Sequence, residues 1–507
     1  MSVEQANVPL RGNSLPSSQP GQRDRDHPLS SVLDSLTGDI VVLGGYRGSI
    51  LRSARAPHRQ VWVPVKVGLK IRKVNLEVGL NPEDEEGAEK DIFASGMLQN
   101  IGPVDISRRL FKRLRECENA RTGKLRVHDY GYDWRLSPRL LSQKLIYFLE
   151  GLPSNKPGTL EAGQGALVIA HSLGGIITRH AVNQRPELFS GVVYAGAPQR
   201  CINVLGPLRN GDAVLLNEKV LTAQVNFSLR TTFVFLPEDG FCFIDKTTKE
   251  EYPIDFYDVE DWVKYRLSPC VSGTPLPSLS RSSTFGSFLS LSDSLPSLPL
   301  RGRSNSQLQK RGSEASGHRP IEAGKEKGAQ LGRMVTAAGS VPSQSAASPT
   351  SLTVSGSASQ DTSLAPPTRY LDYLSRTLAE TKKFRAELAH NPQHQKRNAY
   401  PPLAVIYAKD IPTVYAARVA GREGIATTDA YDDLVFRGGD GVVLAREAML
   451  PAGYELVNNG RICTDRGHIS LLGDLNAVGR ALEAVVKGRR KGIGMGKRDS
   501  QAALNGV

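Results

Sequence analysis

Ser172 stands in the run L-V-I-A-H-S-L-G-G-I-I-T-R-H (167–180), whose centre departs from the G-x-S-x-G pattern only in having Ala170 where a glycine is commoner. A serine hydroxyl is a weak nucleophile unless an imidazole takes its proton and a carboxylate orients that imidazole. The apolar lead-in predicts a buried strand, and the residues from Gly174 onward predict the start of a helix. Small residues at Ala170, Gly174 and Gly175 let the two elements approach closely across the turn. The N-terminus of such a helix turns free N–H groups toward the serine, which favours an oxyanion.

On a strand-turn-helix nucleophile of this kind the chain order is serine, then acid, then histidine. Beyond the turn's own His180, the histidines are His318, His390, His394 and His468. His318 lies in a low-complexity region, and His390 and His394 sit in the polar stretch H-N-P-Q-H-Q-K-R-N. His468 follows a predicted strand (460–464) and precedes a predicted helix (475–486), where a loop-borne base belongs. For the acid, F-R-G-G-D-G-V-V (436–443) puts Asp440 in a glycine turn, with Asp432, Asp433 and Asp465 as rivals. The glycine loop G-G-Y-R-G-S (44–49) supplies the Tyr46 amide N–H as an oxyanion donor, partnered by that of Leu173. It matches neither a dinucleotide fingerprint nor a P-loop.

These residues need a scaffold. I-V-V-L-G-G (40–45), K-L-R-V-H-D-Y (124–130), G-A-L-V-I-A (165–170), G-V-V-Y-A-G (191–196) and L-A-V-I-Y-A (403–408) read as buried parallel strands. Apolar stripes at Ile106, Leu110, Phe111 and Leu114, and at Leu140, Leu141, Leu145 and Phe148, read as helices between them. Strands alternating with helices predict an α/β fold, a mainly parallel sheet covered on both faces. Residues 1–37 and the Ser/Pro/Gly-rich block 268–366 cannot bury enough apolar surface to offset their ordering entropy and read as disordered. One domain therefore spans 38–267 and 367–487 around a disordered insertion, and a basic flexible tail follows at 488–507.

With these pieces in place, the chain resembles the lecithin:cholesterol acyltransferase family of α/β-hydrolases. The similarity rests on V-V-L-G-G-Y-R-G-S-I-L, on Val61-Trp62-Val63, on Gly131-Tyr132-Asp133-Trp134-Arg135-Leu136, on A-H-S-L-G-G, and on G-D-G-V-V with the later G-H. The resemblance implies Ser172 as nucleophile, Asp440 as orienting acid and His468 as base. It implies a cap within 199–267, and acyl transfer from a phospholipid to a lipid alcohol or to water. Val442 replaces the usual Thr after G-D-G, and Ala170 the first glycine of the turn. In the Y-D-W-R motif, Asp133 and Arg135 read as a structural ion pair.

Net charge is +13, with basic residues concentrated at 108–115 and 487–491, which suits peripheral contact with an anionic membrane. Few aromatics interleave with those runs, which argues against nucleic acid. The five cysteines are scattered without C-x-x-C pairs, which argues against a disulfide framework or zinc site. The N-terminus has no apolar signal-like core, and no run approaches the ~18 apolar residues that span a bilayer, so an intracellular protein is expected. The expected activity is a serine-dependent lipid O-acyltransferase or a phospholipase-type acyl-ester hydrolase, with a lipid ester as substrate and neither cofactor nor metal. The competing reading is a non-catalytic α/β-hydrolase scaffold that binds membranes or partners through its disordered and basic segments.

Overall fold

The computed structural model describes residues 28–63, 66–67, 70–71, 75–159, 164–214, 217–278 and 366–496. Its centre is a six-stranded sheet of β1 (Gly38–Leu43), β2 (Leu125–Tyr130), β3 (Ala166–His171), β4 (Phe189–Ala195), β5 (Leu403–Tyr407) and β6 (Arg461–Cys463). The spatial order is β6-β5-β4-β3-β1-β2, and every neighbouring pair is parallel. The unbroken apolar runs are explained by burial on both faces. Along β3, Ala166, Val168 and Ala170 enter one core while Leu167 and Ile169 enter the other. Val192 and Tyr194 of β4 divide from Val193 and Ala195 in the same way.

Six helices carry most of the covering. On one face lie α1 (Pro28–Leu33), α2 (Arg108–Glu116) and α6 (Leu475–Arg490); on the other lie α3 (Pro138–Gly151), α4 (Leu173–Gln184) and α5 (Pro366–Ala386). The stripe Leu110, Phe111 and Leu114 of α2 is buried as its spacing predicts, with Arg108, Arg109 and Arg115 exposed. Of the expected stripe on α3, Leu141 and Leu145 are buried, joined by Leu149, while Leu140 and Phe148 are half-buried at its margin.

The segment after β4 forms short helices at Leu205–Asn210, Ala223–Ser228 and Val259–Lys264 and the strands Phe243–Asp245 and Glu251–Tyr252. Those two strands complete a four-stranded sheet with Ile411–Val419 and Leu434–Gly439 from the far side of the insertion. The expected cap therefore shares its sheet with the second half of the chain.

Three boundaries of the expected disordered segments move. Residues 28–37 are ordered: Leu29, Val32, Leu33 and Leu36 are buried, and α1 packs on α6 where Gly479 leaves no room for a Cβ beside the Leu29 backbone. Residues 268–278 also belong to the domain, with Ser268 capping the turn Pro269–Ser272 and Leu276 bridging to Thr427. The start of the basic tail is fixed as well. Asn398 holds the Gly492 and Gly496 carbonyls through Nδ2 and the Gly494 amide through Oδ1. In the last two the order comes from contacts distant in sequence, whereas Leu29, Val32, Leu33 and Leu36 stand at the spacing of one helical face. The rest of the expected disorder, at 1–27, 279–365 and 497–507, lies outside the described residues.

Candidate active site

Ser172 is the hinge between β3 and α4, and its backbone sits at φ 54° and ψ −124°. A non-glycine residue reaches that region only at a cost of about 1–3 kcal/mol, which the surroundings must hold in place. Here the Ser172 amide bonds the Ala195 carbonyl at the end of β4, and the Ser172 carbonyl accepts from Gly175 in the first turn of α4. Gly174 and Gly175 are required by close approach: a Cβ on Gly174 would meet the Gly44 carbonyl at 2.4 Å, and one on Gly175 would meet Ala197 at 2.3 Å. Ala170 points into the core below the turn and is fully buried, so its methyl group is accommodated.

The three residues singled out from sequence come together. His468 Nε2 lies 3.0 Å from Ser172 Oγ, and His468 Nδ1 lies 2.8 Å from Asp440 Oδ2. With the proton on Nδ1 donated to the carboxylate, Nε2 is left to accept from the serine hydroxyl. Asp440 sits in a turn closed by its amide on the Val443 carbonyl, with Gly441 at φ 95°. Its Oδ1 accepts from the amides of Val442 and Val443 at 3.0 and 2.6 Å. Backbone groups do this orienting, so the valine at 442 leaves it intact. The His468 amide bonds the Asp440 carbonyl at 2.8 Å, which ties the two loops together.

The rivals lie elsewhere. Asp433 pairs with Arg418, Asp465 is exposed, and Asp432 neighbours Asp429 with its carboxyl pushed upward by burial and that charge. His390 stacks on Tyr400, His394 binds the Asn183 carbonyl, and His318 lies outside the described residues.

The glycine loop after β1 faces the serine. A Cβ on Gly45 would stand 2.5 Å from Ser172 Cβ and 2.9 Å from Oγ, so only glycine fits. The adjacent Tyr46 N–H and the Leu173 N–H in the first turn of α4 have no acceptor among the described residues. That leaves both available to an oxyanion. The loop is fixed from several directions. The Tyr46 hydroxyl bonds Thr232 Oγ1 of the segment after β4 at 2.8 Å, and Arg47 pairs with Asp212 at 2.6 Å and with Asn226.

Several contributors were not legible as such in the sequence. Tyr132 donates its hydroxyl to the Gly44 carbonyl at 2.8 Å, and the Trp134 indole donates to the Ser49 carbonyl. The Y-D-W-R segment thus underpins the glycine loop, while Asp133 and Arg135 form the expected buried ion pair at 2.6 Å. Gly196, at φ 59°, packs beneath Asp440 and His468; a Cβ there would stand 3.0 Å from Asp440 Oδ2 and 3.1 Å from His468 Nδ1. His171 is the least anticipated. Its Nε2 donates to the His468 carbonyl at 2.8 Å, and burial first, then the nearby His468, push the ring's pKa from 6.5 down to about 3. It is a neutral donor across the physiological range.

No family model matches the chain. It is similar to the uncharacterized protein YJR098C of Saccharomyces cerevisiae, with 35% identity over 481 residues, 92% of this chain and 64% of that protein. The chain thus spans just under two thirds of that relative's length. No helix among the described residues is long and apolar enough to cross a membrane, and none of their His, Cys, Asp and Glu side chains group as a metal site.

Proposed function

We propose that the chain is a serine acyl-transfer enzyme of the α/β-hydrolase superfamily, similar to the lecithin:cholesterol acyltransferase family, that acts on lipid esters as an O-acyltransferase or a phospholipase-type hydrolase. The observation that carries this reading is the relay Asp440–His468–Ser172, with the serine held at positive φ between a buried strand and a helix. A structural serine has no use for that strain, for a histidine at Nε2, or for a glycine loop pressed against its hydroxyl.

In the first half-reaction Ser172 Oγ attacks the ester carbonyl carbon as its proton passes to His468 Nε2. The tetrahedral oxyanion is stabilised by the Tyr46 and Leu173 N–H groups, and Asp440 stabilises the imidazolium. His468 then protonates the departing alcohol oxygen, leaving an acyl-serine. A second alcohol, or water, gives its proton to His468 and attacks that ester, which releases the new ester or acid and restores the serine. Ser172 and His468 are each 7% exposed, so bulk water has restricted access to the pair.

The test is labelling by a fluorophosphonate probe, comparing the wild type with Ser172→Ala. Labelling lost in the variant is expected; labelling that persists would move the nucleophile elsewhere, and none in the wild type would overturn the reading. Labelled phospholipid supplied with and without a sterol or diacylglycerol then separates transfer from hydrolysis.

A further inference from the structure

The base is held at three points, and the third lies outside the relay. Two go to Asp440: the imidazole Nδ1–H to its carboxylate and the backbone amide to its carbonyl, both at 2.8 Å. The third is the His468 carbonyl, which accepts from His171 Nε2 at 2.8 Å. His171 closes β3 and immediately precedes Ser172, so this bond joins the nucleophile turn to the loop that carries the base. The two imidazole rings stand 4.8 Å apart at 43°. A carbonyl can only accept, so His171 carries its proton on Nε2. Its Nδ1 faces the glycine loop, where a Cβ on Gly45 would approach it to 3.3 Å. The two Asp440 contacts fix His468 relative to the acid alone; among the described residues the His171 bond ties its backbone to the nucleophile strand.

We propose that His171 is a positioning residue that holds His468 at reacting distance from Ser172 through its bond to the His468 carbonyl. Acyl transfer makes His468 a cation transiently, and a second cation at 4.8 Å would oppose it. A neutral imidazole supplies the anchoring hydrogen without that opposition, whereas a lysine or arginine here would not. The nearby titratable groups are His468 itself and Asp440.

This inference rests on the acyl-transfer reading only for its kinetic consequence; the geometric one is separately measurable. His171→Leu keeps apolar bulk but has no donor. His171→Gln places an amide N–H near the position of Nε2, and His171→Asn carries the same donor on a side chain too short to reach. Each variant is compared with the wild-type full chain in two ways: the rate of fluorophosphonate labelling, and the downfield proton NMR signal of His468 Nδ1–H, assigned by its loss in Asp440→Asn. Misplacement by about 1 Å costs about 100-fold in rate, so Leu and Asn should label about 10- to 100-fold more slowly, with Gln within a few-fold of wild type. The downfield signal should shift or broaden in Leu and Asn and be retained in Gln. Asn carries the comparison alone should Leu not fold. Unaltered labelling and an unaltered signal in Leu and Asn would overturn the positioning role with the acyl-transfer reading intact. A wild type that does not label, with the signal still perturbed in Leu or Asn, would uphold the positioning role and sink the acyl-transfer reading. Equal slowing in Leu, Asn and Gln would make His171 a packing residue and overturn the inference.

Discussion

Tyr132 and Gly44 are joined by a hydrogen bond of 2.8 Å from the tyrosine hydroxyl to the glycine carbonyl, although 88 residues separate them. Through it, the aromatic turn after β2 fixes the loop that presents the Tyr46 amide to Ser172. Tyr132→Phe leaves that buried carbonyl without its partner, a loss of about 1–3 kcal/mol. A lower Tm is expected, with a roughly tenfold fall in the rate of fluorophosphonate labelling as the loop loosens. A normal rate would show that the loop needs no such support.

The backbone strain at Ser172 gives a stability order opposite to the usual one. Glycine generally destabilises relative to alanine because its unfolded chain has more freedom. At φ 54° alanine is strained and glycine is not. Ser172→Gly should therefore be more stable than Ser172→Ala by about 1 kcal/mol, while neither is labelled. Thermal denaturation of the two variants side by side checks this, and the ordinary order would argue against a strained turn.

Gly196 is a second position where one methyl group should disable the site. It lies at φ 59°, and a Cβ would stand 2.6 Å from Leu471 and about as close to the acid and base as a hydrogen bond. Gly196→Ala should lower labelling by about 100-fold or more, with a stability loss of about 1–3 kcal/mol from strain and overpacking. Unchanged labelling would mean that the pair below Ser172 can shift freely.

Acid sensitivity follows from the buried neutral His171. Its folded pKa of about 3 lies below the ordinary 6.5, with burial as the main cause. The unfolded chain binds a proton at this ring below about pH 6.5, and the folded chain does not until about pH 3. Stability from this group is thus fully present above pH 6.5 and is lost as pH falls through that window. His171→Gln, which cannot titrate, should show a shallower decline of Tm between pH 6.5 and 4 than the wild type. Parallel declines would place the acid sensitivity elsewhere.

Asn398 pins the start of the basic tail through Gly492, Gly494 and Gly496, and its own φ of 50° suits glycine as well. Asn398→Gly keeps the backbone conformation and removes all three bonds. Tryptic cleavage after Arg490 and Lys491 should be faster in this variant, at little cost to Tm. Equal cleavage rates would show that other contacts hold the segment.

Local sequence was enough for the inner strands β1, β3, β4 and β5, because burial on both faces requires short unbroken apolar runs; the edge strands β2 and β6 are half-covered and carry polar residues such as Arg126, His128 and Arg461. It also marked Ser172, Asp440 and His468, since glycine turns and chain order are local signals. Residues 28–37 do carry a local signal, Leu29, Val32, Leu33 and Leu36 at helical spacing, which the Ser/Pro-rich run before them masked; residues 268–278 and 488–496 have no such pattern and take their order from distant partners such as Thr427 and Asn398. The same limit hid His171 and Gly196, and the partner of Tyr132, whose Y-D-W-R motif stood out in the sequence without showing what its hydroxyl binds. A histidine before a serine and a glycine after a strand have no special spacing. The folded chain alone puts His171 on the carbonyl of a residue 297 positions away. Sequence thus determined which groups could react; packing between distant segments decided how they are held, because hydrogen bonds to backbone carbonyls leave no trace in residue type.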